Sequence, residues 1–212
     1  MSQIKLVHSG GNGVIISAPS SNPAANRTIT LPGNADGEML TTTNPKTGNI
    51  IQVVQTVKTD TFSFAASATG NTSGGVSGDA ISASITPSST SNKVLIRGVL
   101  SVSCSNNNRI GIVIYADGTE ITGSTGDASA SRSRVATGGQ LNSSSATAHQ
   151  LMIGHEFLHF PSSTSSVTYS YRLVNLDSTA SRTLYLNRGA GDANVVHHFR
   201  STSIITLEEV AA

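Results

Sequence analysis

The chain has 212 residues, with 33 Ser, 24 Thr and 20 Gly, 12% charged residues, 4% aromatics and no Trp. That size holds one substantial domain plus a smaller segment, and the composition lacks the Glu, Lys and Leu blocks that build helices. Its 13 basic and 12 acidic residues give a net charge of +1 and form no run of either sign, which excludes the electrostatic footprint of a nucleic-acid binder.

Each core must come from Val, Ile, Leu and Ala. That is a thin supply for one chain and points to further burial between subunits. No stretch approaches the roughly 18 apolar residues of a membrane helix, and the start MSQIKLVHSGG lacks the apolar run of a signal peptide. The expectation is a chain made in the cytoplasm, with no membrane insertion. Cys104 is the single cysteine, so no intramolecular disulfide or thiolate zinc cage can form. In the alternating run SVSCS it reads as a small buried hydrophobe.

Residues 1–48 alternate short strand signals with turn chemistry: IKLV, a Gly10–Gly13 turn, VIIS, the stretch Pro19–Asn26, RTITL, then Pro32–Gly37. Such strands are too short for a core of their own. They become stable by wrapping around an axis with other copies or by lying on another protein as an anchor; a flexible tail is the plainer alternative.

A second region, 49–212, opens with IIQVVQTVK, long and β-branched. Further strands are predicted at 79–86, 93–103, 109–115, 119–122, 150–160, 167–175, 183–188 and 201–209, about nine in all. Turn clusters such as SNNN, ADGT, LDSTAS and GAGDAN separate them, with no helical segment between neighbours. An all-β fold follows, an antiparallel β-sandwich of jelly-roll kind. Residues 123–149, rich in Ser, Thr, Gly and Ala, read as a long loop that is either an exposed contact surface through Arg132 and Arg134 or padding between strands.

HEFLH at 155–159 matches the HExxH pattern of zinc metalloproteases. That chemistry needs a helix, where residues four apart share a face and bind one zinc while Glu polarises its water. Gly154, Pro161 and the apolar residues Leu151, Ile153 and Phe157 predict a strand instead, in which His155 and His159 stand roughly 13 Å apart. Three symmetry copies of such a histidine could still meet on an axis and hold a metal.

Asp192, His197 and His198 fall in one loop that could take a metal or a sugar, or simply carry solvated histidines. Arg109, Arg172, Arg182 and Arg188 lie in or beside strands, suited to anionic glycans or to ion pairs across a subunit boundary. Asp60, Asp79, Asp117, Asp127 and Asp177 fall mostly at turns. No nucleophile elbow, phosphate loop or dinucleotide fingerprint occurs, and a sugar-cleaving acid pair would lack aromatic platforms. The expectation is a protein without enzymatic activity, catalytic residues or cofactor.

The string IKLVHSGGNGVIISAPSSNPAANRTITLPGNADGEML, with SNPAANRTITLP its most distinctive part, resembles a segment of marine bacteriophage fibre and appendage proteins. NIIQVVQTVKTDTFS, ITPSSTSNKVLI and the closing LYLNR and SIITLEEVAA are similar to the C-terminal domains of such virion proteins. The resemblance covers most of the chain outside 123–149. It implies a homotrimeric virion structural protein with a distal jelly roll similar to the TNF and complement heads. Residues 1–48 would bind other virion proteins; the resemblance names no receptor, and the leading expectation is that the loops 123–149 and 189–198 meet a host cell-surface glycan. A capsid decoration or connector protein without a receptor is the alternative; a zinc metallohydrolase through HEFLH is a third.

Overall fold

The computed structural model describes residues 3–7, 9–11, 13–17, 20–21, 45–68, 75–107, 109–141 and 148–212. The chain divides into two compact units, Met1–Met39 and Leu40–Ala212. In the first, β1 (Gln3–Val7) and β2 (Gly13–Ser17) form an antiparallel hairpin. Gly11 at its turn has φ +92°, a conformation open to glycine at no steric cost. RTITL at 27–31 lies outside the described residues.

The second unit is an antiparallel β-sandwich. One sheet joins β3 (Ile50–Lys58), β13 (Ser203–Val210), β6 (Lys93–Cys104), β12 (Arg182–Leu186) and β4 (Phe62–Ala66) in that order, with β10 (Leu151–His159) on the other side of β6. The second sheet runs β5 (Ile81–Ile85), β11 (Val167–Asn175), β7 (Arg109–Ala116), then β8 (Thr119–Glu120), with β9 (Thr137–Gln140) also paired to β7. Alternation along β6 turns Val94, Ile96, Leu100, Val102 and Cys104 inward, all fully buried. They meet Tyr169, Tyr171 and Leu173 of β11 and Ile110, Ile112 and Ile114 of β7 in one continuous core. Among the described residues no helix is long and apolar enough to cross a membrane.

One close approach fixes the spacing of the sheets. A Cβ on Gly98 of β6 would stand 2.3 Å from the Tyr171 ring, so the tyrosine occupies the space that glycine leaves. The Asp117–Gly118 turn between β7 and β8 has positive φ at both residues, 47° and 77°. That is the twist a two-residue hairpin needs, and Asp and Gly supply it.

Two departures from the sequence reading stand out. The stretch 123–149 was expected as loop, yet Thr137–Gln140 is a strand. The edge of β7 at Arg109–Ile112 is left open by the short β8, and β9 fills it. Its glycines show why propensity missed it. A Cβ on Gly139 would collide with Leu151 at 2.3 Å, and one on Gly138 would stand 2.8 Å from the Ile110 carbonyl. The second departure is β4, where FSFAA pairs with β12 although no strand is predicted between IIQVVQTVK and 79–86.

A single polar residue joins four strands. β13 pairs with β6 as far as Val99, and β12 pairs with the same edge from Val102 onward. Asn187 fills the gap, fully buried and with φ 62°. Its backbone N–H donates to the Ser101 carbonyl at 2.8 Å. Nδ2 donates to the Lys58 and Asp60 carbonyls at 2.8 and 2.9 Å, and Oδ1 accepts from the Ser203 hydroxyl at 2.6 Å. Ser203 Oγ in turn accepts the Ser101 N–H at 3.0 Å.

Asn187→Ala leaves two carbonyls and a hydroxyl short of partners and puts a Cβ-only side chain in the left-handed region. The expected loss is roughly 3 kcal/mol in urea unfolding. Asn187→Gly, which relieves only the backbone strain, should recover no more than about 1 kcal/mol of it. Equal stability of Asn187→Ala and wild type would contradict this role.

Candidate interaction surfaces

HEFLH lies on β10, whose residues alternate between faces. Leu151, Ile153, His155, Phe157 and His159 turn toward the core, while Met152, Gly154, Glu156 and Leu158 turn out. Glu156 is therefore on the opposite face from both histidines, where its carboxylate lies 3.4 Å from Arg97 Nε. Each histidine meets a tyrosine of β11. The His159 and Tyr169 rings meet edge to face at 5.6 Å, with Nδ1 2.9 Å from the phenol oxygen. The His155 and Tyr171 rings meet edge to face at 6.4 Å, and the Tyr171 hydroxyl donates to the His155 carbonyl at 3.3 Å. His155 Nδ1 is buried without a hydrogen-bond partner among the described residues. Three His, Cys, Asp or Glu side chains that could share a metal occur nowhere among the described residues.

Arg132 and Arg134 are engaged inside their own loop. Arg132 Nη1 donates to Ser129 Oγ at 2.6 Å, and Arg134 Nε donates to the Gly126 carbonyl at 2.7 Å. The loop begins with a short 3-10 turn, Thr122–Ser124, before β9.

Asp192, His197 and His198 do share one loop, between β12 and β13. Asp192 Oδ2 bridges Arg188 at 3.2 Å and Arg200 at 2.7 Å, and a backbone bridge between Arg188 and Arg200 closes the loop's base. His198 Nδ1 accepts the Ala193 N–H at 2.8 Å, and its ring meets that of His197 edge to face at 4.7 Å. This internal bonding leaves an apolar tip in solvent: Val195, Phe199 and a fully exposed Val196.

Arg172 and Arg182 pair with acids of their own chain. Arg172 pairs with Asp79 at 2.7 Å and lies 3.8 Å from the Tyr115 ring centroid. Arg182 pairs with Asp177 at 2.6 Å. The Asp177 carboxyl is held down to about 2, chiefly by the Thr179 N–H and hydroxyl and further by Arg182.

The surface that residue typing missed is the outer face of the larger sheet. The register sets three rows across β3, β13, β6 and β10: Val53, Glu208, Leu95, Leu158; Gln55, Thr206, Arg97, Glu156; and Val57, Ile204, Val99, Gly154. Val53, Val57, Val99 and Leu158 are exposed, as is Met152 beyond them. Between the apolar rows Arg97 Nη1 donates to Glu208 Oε1 at 3.0 Å. The signal was present: IIQVVQTVK and KVLIRGVL are apolar at consecutive positions, the pattern of strands covered on both faces.

No protein-family model matches the chain, and no curated protein matches it. Solved structures of infectious bursal disease virus are similar in the course of their chains. The Gx strain structure is 17% identical with a TM-score of 0.39, covering 88% of this chain and 42% of its own. The VP2 subviral particle is 17% identical with a TM-score of 0.36, covering 95% and 48%. The chain thus spans less than half the length of these structures, and at such scores the likeness carries nothing about its role.

Burial holds both β10 histidines below the ordinary value of about 6.5, with the nearby Glu156 partly opposing this at His155. As pH falls below about 6.5, the unfolded chain takes up protons there that the folded chain does not, so stability declines. Urea unfolding between about pH 7.5 and 5.5 should show this decline, and His155→Gln should flatten it. An unchanged slope in the variant would contradict the assignment.

Proposed function

We propose that the chain is a structural protein of a bacteriophage particle, a short fibre or spike that acts as a homotrimer and attaches the particle to a host surface by multivalent binding. The observation that supports attachment is the loop between β12 and β13. Asp192, clamped by Arg188 and Arg200, fixes its shape, while Val195, Val196 and Phe199 stand in solvent. A loop ordered in advance loses little entropy on binding, so its contacts count nearly in full. Several weak contacts on one trimer, repeated around a particle, hold a cell without any catalytic group.

The particle itself is supported by the resemblance of the N-terminal string and of the closing strands to virion proteins. Residues 1–48 then serve as the attachment to other virion proteins, and the tips of the 123–149 and 189–198 loops face a host glycan. Neither nucleic acid nor a cofactor enters this reading.

A second reading, a decoration or connector protein without a receptor, is favoured by one observation. The charged groups of the two loops are already engaged: Arg132 with Ser129, Arg134 with Gly126, and Asp192 with two arginines. Few remain to read an anionic sugar.

The purified full chain should bind bacterial cells or their surface polysaccharides on an array, and Val196→Asp should lower that binding about tenfold or more while the melting curve stays unchanged. An antibody against the chain should label purified phage particles. Labelled particles without cell or glycan binding would replace attachment with the decoration reading; absence from particles would end both.

A further inference from the structure

We propose that the outer face of the larger sheet is where copies of this chain join one another. The proposal takes from the reading above only that the chain self-associates, and names the surface responsible: a face that meets its own copy pairs chains about a twofold axis. Antiparallel sheets that face water on one side normally alternate apolar-in and polar-out. Here Val53, Val57, Val99, Met152 and Leu158 point out across three strands. Large apolar side chains exposed together on one face, in two rows flanking a polar one, mark an interaction site on a protein surface.

Three features point to a second copy as the occupant. The face carries both signs of charge, Arg97 beside Glu156 in the middle row and Glu208 in the row next to it. Glu208 is 7% exposed, and its Oε2 is buried without a donor among the described residues. Arg97, half exposed, reaches its two carboxylates through Nε and Nη1. A face carrying both signs of charge is matched by another copy of itself; a partner of one charge sign would leave part of it unpaired.

The relief is also self-complementary. Gly154 leaves a hollow of about 490 Å³ between Arg97, Val99, His155 and Glu156, while Met152 and Leu158 project on the same strand, two and four residues from it. One face thus carries both knobs and a hole. Finally, its extent suits the task. Four strands about 4.8 Å apart, and the nine residues of β10 at about 3.4 Å each, cover on the order of 600 Å², approaching the roughly 800 Å² per partner of a standard interface.

The test is the mass of the full chain in solution by light scattering, at 21.8 kDa per copy, for wild type and two variants. Gly154→Arg fills the hollow from an outward position where a Cβ meets nothing within 4 Å. Val99→Asp places a charge among the exposed apolar side chains. Thermal unfolding followed by circular dichroism confirms that both variants fold. Wild type should have the mass of two or more chains, and both variants should raise the dissociation constant about 100-fold or more and run as single chains. A monomeric wild type overturns both the interface and the oligomeric reading. An oligomeric wild type whose folded variants keep the same mass overturns the interface alone.

Discussion

The sandwich depends on how β6 is shared. Twelve residues long, it accepts β10 along one edge and two strands, β13 and β12, end to end along the other. Where those two part, the backbone N–H and C=O of Ser101 would face an opening, and buried groups without partners cost more than most contacts gain. Asn187 and Ser203 close the opening, binding Ser101, Lys58 and Asp60 around one buried amide. That closure lets the sheet branch into β13 with β3 and β12 with β4 without exposing a seam.

The interior is organised around aromatic side chains set against glycine and histidine. Tyr171 occupies the space above Gly98 and bonds to the backbone of the neighbouring β10, while Tyr169 meets His159. Core tyrosines need a polar partner for their hydroxyls. β10 supplies one partner from its backbone and one from a side chain. HEFLH is thereby accounted for as packing: the histidines on the inner face line the tyrosines, and Glu156 on the outer face joins Arg97.

The long strands were legible because β-branched runs between turn clusters leave little choice. IIQVVQTVK, KVLIRGVLSVS, RIGIVIY and VTYSYRLVN lie within a residue or so of β3, β6, β7 and β11. The antiparallel sandwich was readable from the same pattern. What escaped had no local signature. β9 is TGGQ, a sequence that prefers no strand and becomes one only because the edge of β7 and the side chain of Leu151 leave room for glycine alone. At the candidate sites, residue type revealed which loops gather Asp192 with His197 and His198, but not that Arg188 and Arg200 already claim the carboxylate. The apolar outer face was written in the consecutive hydrophobic residues of β3 and β6, though which of them point outward is a matter of register.

Asn187 and Ser203 stand at the two ends of the loop from Arg188 to Thr202, and both are tied into the sheet by bonds that involve none of the loop's tip. The Arg188 and Arg200 bridge then completes a stem whose closure is independent of what lies between. Residues 193–199 can therefore change in length and chemistry without breaking the bonds that hold the sandwich together.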